Sequence, residues 1–166
     1  MKKDKIIIYT DGAARGNPGK AGWAAIIINY ELRITNPKII ELGGSSSYAT
    51  NNQMELSGPI GALKYLHLNS ARQGLAHDVE IFSDSKYVIL GITEWIFNWQ
   101  KNNWRNAAKK SVLNKELWVE LYELSREFKI KWTYVEGHSG DKYNERADEI
   151  ATNFADGNKI ELKNER

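Results

Sequence analysis

The 166-residue chain contains no cysteine. That excludes disulfides, thiolate nucleophiles and cysteine-based zinc sites, and it suits a reducing cytoplasm, where this reading places the protein. No apolar stretch approaches the length of a membrane span, so no membrane partner is expected. The opening MKKDKIIIYTD carries basic residues but too short an apolar run for a signal peptide. Net charge is also small: 23 Lys and Arg against 21 Asp and Glu leave +2, so a preference for a polyanion has to be sought locally. Internal repeats and low-complexity linkers are missing as well. What is present, 42% hydrophobic and 27% charged residues, predicts one soluble globular domain over residues 1–156, with a weakly ordered tail over 157–166.

Lys5–Asp11 reads as a first, apolar strand, Gly22–Tyr30 as a second and Leu32–Leu42 as a third, irregular near Asn36-Pro37. Their short connections suit antiparallel neighbours. GGSSSYATNN reads as a loop, and Asn51 or Asn52 is a good helix cap after it. Val79–Phe82 is a short fourth strand, followed by a helix from about Ser85. Ile92, Trp95, Ile96 and Trp99 follow the spacing of an amphipathic helix, and Leu117, Leu121 and Leu124 mark another. Ile130–Val135 is a fifth strand, and a last helix buries Ala147, Ile150, Ala151 and Phe154. Long helical crossovers make strands one, four and five parallel. The fold class is therefore α/β, with a five-stranded mixed sheet and helices packed on it.

Two carboxylates, Asp11 and Asp84, stand where apolar strands stop. If those strands are parallel neighbours, both acids emerge at the edge where open α/β sheets bind ligands. Glu55 falls in the first turn of the helix after Thr50-Asn51-Asn52, and Asp148 one turn after Asn144 in the last helix. Each acid alone has an ordinary explanation. Asp11 is a turn residue, Glu55 complements a helix dipole, Asp84 caps a helix and Asp148 is a surface acid. Between Trp95 and Lys115 lie Lys101, Arg105, Lys109, Lys110 and Lys115 with no acid among them, and Trp95, Trp99 and Trp104 are interleaved. This is a local basic patch of the kind that meets nucleic acid.

The segments YTDGAARGNPGKAGW, TNNQMEL, IFSDSKYV and WTYVEGHSGDKYNERAD, in this order, resemble the bacterial type 1 ribonuclease H family from about Ile6 to Phe154. GITEWIFNWQKNNWRNAAKKSVLNKELW resembles the basic helical protrusion of its bacterial members. The resemblance implies a ribonuclease H-like fold, with three antiparallel strands, then parallel ones, and helices on both faces. It implies a monomeric endonuclease that cuts the RNA strand of RNA–DNA hybrids with little sequence preference, leaving 5′-phosphate and 3′-hydroxyl ends. By motif position, Asp11, Glu55, Asp84 and Asp148 match the family's ligands for two Mg2+ ions, with Mn2+ as a substitute. His138 matches a mobile histidine that assists proton movement or product release. Asn17, Thr50, Asn51, Asn52, Lys86, Trp95, Lys101, Arg105, Lys109, Lys110 and Asn144 match substrate-contacting positions.

Carboxylates suit this chemistry, because magnesium prefers hard oxygen ligands, and two ions serve both ends of an in-line phosphodiester displacement. Four converging acids repel one another, so metal binding relieves strain. Acids alone do not separate this reading from a recombinase, resolvase or exonuclease of the same fold, nor from a non-catalytic hybrid-binding module. The ordered motifs around His138 and the basic protrusion favour the ribonuclease, and no matched acid is lost. Two departures stand out: Ser57-Gly58-Pro59 inside the Glu55 helix, and a long segment over residues 68–78. Proline beyond a first turn offers no N–H to the Glu55 carbonyl, so a bend or local loosening is expected there. No separate hybrid-binding domain is seen before Ile6.

Overall fold

The computed structural model describes residues 5–30, 36–70 and 78–165. Alternation of large apolar residues builds the central strand. In β1 (Lys5–Arg15), Ile6 and Ile8 face one core, while Ala13 and the half-buried Ile7 and Tyr9 join a second core on the other side. β2 (Gly19–Tyr30) and β3 (Lys38–Ala49) complete the antiparallel part. β4 (Asp78–Ser83) and β5 (Lys129–Tyr134) pair in parallel, giving the order β3-β2-β1-β4-β5. On one face lie α1 (Asn51–Ser70), α2 (Lys86–Leu90), a π-helical turn (Gly91–Trp95), α3 (Ile96–Lys101) and α4 (Lys115–Ser125). α5 (Lys142–Asp156) covers the other face through Ala147, Ile150, Ala151 and Ala155. Among the described residues, no helix is long and apolar enough to cross a membrane.

Several boundaries differ from expectation for physical reasons. β1 and β2 both continue through the glycine-rich hairpin as far as the pair Arg15 and Lys20. Residues 43–49, expected as loop, are the second half of β3, because backbone pairing with β2 supplies the strand that Gly and Ser do not favour by themselves. The expected start of the third strand at Leu32 and most of the 68–78 segment lie outside the described residues. α1 is capped by Thr50, not by Asn51 or Asn52. The Thr50 Oγ1 accepts the Gln53 N–H at 3.1 Å and Gln53 Oε1 accepts the Thr50 N–H at 2.9 Å, a reciprocal capping box.

α1 runs unbroken from Asn51 to Ser70 with Pro59 inside it, so helical structure is not lost at Pro59. Gly58 lies against Ala24 and Thr10 of the sheet, and buried Pro59 and Ile60 follow it into the core. Packing outweighs the missing donor. The tail also departs from expectation. Glu41 N–H donates to the Lys163 carbonyl at 2.8 Å and Glu165 N–H to that of Ile39 at 3.0 Å, so residues 163–165 pair with the outer edge of β3. Ile160 and Leu162 pack on the α5-side core.

Candidate active site

The parallel ladder between β1 and β4 ends at the pair Thr10 and Ser83. Asp11, still paired with Ala24 inside β1 and not at the strand end the sequence suggested, and Asp84, just past β4, come next, so both carboxylates leave at the same edge of that ladder. Asp84 is free to do so because Ser85 caps α2, its Oγ accepting the Val88 N–H at 3.2 Å. Glu55 arrives from α1, as its fifth residue and so just past the first turn in which the sequence reading put it. Carboxylate oxygens of Asp11, Glu55 and Asp84 lie within 4.8 Å of one another. Asp148 projects from α5, half-buried, and its charge acts on both Asp11 and Asp84.

The electrostatics are those of crowded, buried like charges. Burial first, then the charges of Asp84 and Asp148, push the Asp11 carboxyl up to about 8, against the pull of the Gly12 N–H and of a hydrogen bond with Glu55. Burial and the neighbouring Asp11 and Asp84 raise Glu55 well above the usual carboxylate range. Asp84 is raised chiefly by burial, with hydrogen bonds from Asp11 and from the Asn144 amide opposing. Asn144 is thus buried beside the acids, with its Oδ1 unpartnered. Glu55 Oε2 is buried and without a hydrogen-bond partner too. An acceptor-only oxygen left alone among like charges fits a hard divalent cation, which would take that oxygen and relieve the repulsion.

His138 is exposed, at φ 56°, in the loop between β5 and α5. That loop passes over the acids: a Cβ on Gly137 would stand 3.1 Å from Asp84 Oδ2. Asn17, Thr50, Asn51 and Asn52 gather at the start of α1, where Asn17 Oδ1 accepts the Asn51 N–H at 3.0 Å. Lys86 is exposed, its Nζ 5.5 Å from the Tyr134 ring centre. Lys101, Arg105, Lys109 and Lys110 are all exposed on the segment joining α3 to α4. Arg105 also has a structural task, donating from Nη1 to the Lys109 carbonyl at 3.1 Å.

A cluster of tilted and edge-on aromatic rings roots this segment. Trp99 stands 6.0 Å from Trp95, 6.2 Å from Trp104 and 5.3 Å from Trp118, and Tyr87 joins at 5.1 Å from Trp118. Trp95 keeps 38% of its surface exposed. The sequence reading did not find Gln53 and Asn114, which link the root to α1: Gln53 Nε2 donates to Asn114 Oδ1 at 3.2 Å, and Asn114 Nδ2 donates to the Tyr87 hydroxyl at 3.1 Å. Polar residues far apart in sequence give no periodic signal for such a link. A well-formed hollow among the described residues lies elsewhere. A cavity of about 490 Å³ sits at the opposite ends of β1, β4 and β5, lined by Lys5, Asp78, Glu80, Lys129 and Lys131.

A cluster of carboxylates fixed beside the β1–β4 ladder, with a basic surface on a separate aromatic-rooted segment, suits a hydrolase of the nuclease class. The RNase H family profile matches residues 3–156, and the chain belongs to the ribonuclease H family. It is 45% identical to the ribonuclease H of Wolbachia pipientis wMel over 151 residues, 91% of this chain and 95% of that one. Identity is also 45% to the ribonuclease H of Francisella tularensis subsp. novicida over 150 residues, 90% of each. Among solved structures, LC9-RNase H1, a type 1 RNase H with the type 2 active-site motif, shares the fold with a TM-score of 0.81 at 22% identity, over 96% of this chain and 75% of that one. LC11-RNase H1, solved in complex with an RNA/DNA hybrid, gives a TM-score of 0.67 at 25% identity, over 92% of this chain and 97% of that one.

Proposed function

We propose that the protein hydrolyses the RNA strand of RNA–DNA hybrids, leaving 5′-phosphate and 3′-hydroxyl ends, with two Mg2+ ions held by Asp11, Glu55, Asp84 and Asp148. The observation that carries the reading is the convergence of three acids within 4.8 Å, one with a buried oxygen lacking any partner. The hybrid bound to LC11-RNase H1 supports the substrate class. Bound divalent ions supply an activated water and stabilise the departing oxygen. The chain's own residues do the rest. Asp11 and Asp84, fixed by the last rungs of one ladder, hold the cluster rigid. The Asn144 amide restrains Asp84. His138 stands outside the cluster, next to Gly137, which lies against Asp84, and assists proton movement or product release.

Thr50, Asn51, Asn52 and Asn17 meet one part of the duplex, and Lys86, Trp95 and the basic segment another. The link from Gln53 through Asn114 to Tyr87 fixes the spacing of those two surfaces. Recognition by groove shape and 2′-hydroxyls makes cleavage nearly independent of sequence. The test is cleavage of matched RNA–DNA, RNA–RNA and DNA–DNA duplexes with and without magnesium. Magnesium-dependent cutting of the RNA strand in the hybrid alone is expected; equal cutting of duplex DNA would overturn the reading.

A further inference from the structure

We propose that Arg146 is a positioning residue for Asp148, and that residues 157–165 lock it in place. The inference rests on the reading of Asp148 as part of the metal-holding cluster. Asp148 differs from Asp11 and Asp84 in one respect: it is carried by a helix packed on the sheet, not by a strand within it. Its distance from the other acids is set by how α5 slides and rolls on the sheet. Arg146 and Asp148 are two residues apart, so at about 100° per residue they leave nearly opposite sides of α5. A roll that carries one away from the sheet edge moves the other.

Arg146 is held unusually firmly. Its Nε donates to Glu41 Oε2 at 2.7 Å and its Nη2 to Glu41 Oε1 at 3.0 Å, a two-pronged contact to a residue of β3. Nη2 also donates to the Glu161 carbonyl at 2.9 Å, and Nη1 pairs with Glu149 at 3.1 Å. Glu41 is 4% exposed, and its Oε1 takes a further bond from the Lys163 N–H at 2.9 Å. One buried carboxylate therefore ties together β3, α5 and the tail. A buried pair of this kind contributes little net stability over an apolar pair of equal size, but its directional bonds fix relative geometry.

The tail completes the lock. Its residues pair with β3 through Lys163 and Glu165, and Glu165 Oε2 also accepts the Ile39 N–H at 2.9 Å. Ile160 and Leu162 close over the same side. The family match ends at residue 156, so this part of the lock lies beyond what the family profile covers. The apolar contacts of α5 do not resist rolling in the same way. Ala147, Ala151 and Ala155 let the helix lie close on β2, where a Cβ on Gly22 would meet the Ala151 carbonyl oxygen at 2.4 Å, while Ile150 and Phe154 pack on Gly43 through non-directional contacts.

The experiment compares Arg146→Lys, Glu41→Gln and a chain truncated after Gly157, each in the wild-type and Asp148→Asn backgrounds. Magnesium binding without nucleic acid is read by calorimetry, kcat and KM on a hybrid duplex by steady-state kinetics, and the folded fraction by circular dichroism. The expected result is a loss of roughly tenfold in magnesium affinity or kcat for Glu41→Gln and for the truncation. KM should stay within about twofold, Arg146→Lys should be milder, and no variant should lower affinity further once Asp148 is Asn. Variants that lower only the melting temperature, with magnesium affinity and kcat per folded molecule intact, would overturn the proposal. If Asp148→Asn alone leaves both quantities unchanged, the assignment of Asp148 to the cluster fails, and this inference fails with it.

Discussion

A Cβ on Gly12 would stand 2.4 Å from the backbone nitrogen of Glu55 and 2.5 Å from the carbonyl carbon of Met54. The backbones of β1 and α1 therefore touch immediately beside Asp11. This contact brings the Glu55 carboxylate, carried by a different element, into the same cluster as Asp11 and Asp84. Any side chain at position 12 has to push the first turn of α1 away.

Gly12→Ala should accordingly cost about 1–3 kcal/mol of stability, because both clashing atoms are backbone and cannot rotate aside. It should also weaken magnesium binding by moving Glu55. Urea unfolding and a magnesium titration of the folded variant check both outcomes; a variant as stable as the parent would show that the helix end yields freely.

The metal-free protein should lose stability as pH rises from about 4 through about 8. The sign follows from Asp11, whose carboxyl is pushed up to about 8 in the folded state. A raised acid binds its proton more tightly when folded, so its contribution is complete below the unfolded value near 4 and is lost as pH passes the folded value. Glu55 and Asp84 are shifted in the same direction. Magnesium should flatten this profile, and Asp11→Asn should flatten it without metal while abolishing turnover. Melting temperatures from pH 4 to 9, with chelator and with magnesium, give the answer; a metal-free stability that rises across this range would contradict it.

Replacing Lys101, Lys109 and Lys110 by Ala should weaken hybrid binding and reduce its dependence on salt. The slope of log K against log[salt] should fall by up to about 0.9 for each phosphate that is no longer neutralised. Arg105→Ala should do more than remove a charge, because Arg105 also holds the Lys109 carbonyl, at a residue with φ 61°. Binding measured across a salt series separates the two effects. An unchanged slope in the triple variant would make those lysines a solvated face.

Thr50→Ala removes the capping hydroxyl of α1 and should cost about 0.5–2 kcal/mol. Thr50→Ser keeps the hydroxyl and should restore most of that stability. If hybrid affinity falls in Thr50→Ala by more than destabilisation explains, and returns in Thr50→Ser, the hydroxyl serves the substrate as well as the helix.

Asp11 and Asp84 were legible because each ends an apolar run, and apolar runs declare their strands. α5 was legible from Ala147, Ile150, Ala151 and Phe154, which share one side at helical spacing. Residues 43–49 were not, since Gly43, Gly44 and three serines look like loop until β2 pairs with them. The capping box hid for a related reason: Thr50 and Gln53 are a recognisable pair only once the helix start is known. The tail was opaque because what orders it is Glu41, more than a hundred positions earlier in the chain. The depth of Asn144 and the contact at Gly12 likewise belong to the packing of elements, which local pattern does not encode.

The position of the large cavity bears on how this enzyme can be inhibited. It lies at the start of β4, while Asp84 follows the strand's last residue, Ser83, so the two are separated by roughly 17–20 Å of extended chain. A drug-like compound chosen for how well it fills this cavity would occupy the wrong end of the sheet and leave nucleic acid free to bind. The carboxylate edge offers dense negative charge. Effective competitors there should be metal chelators carried into the cluster, or polyanions that lie across the basic segment as a duplex would.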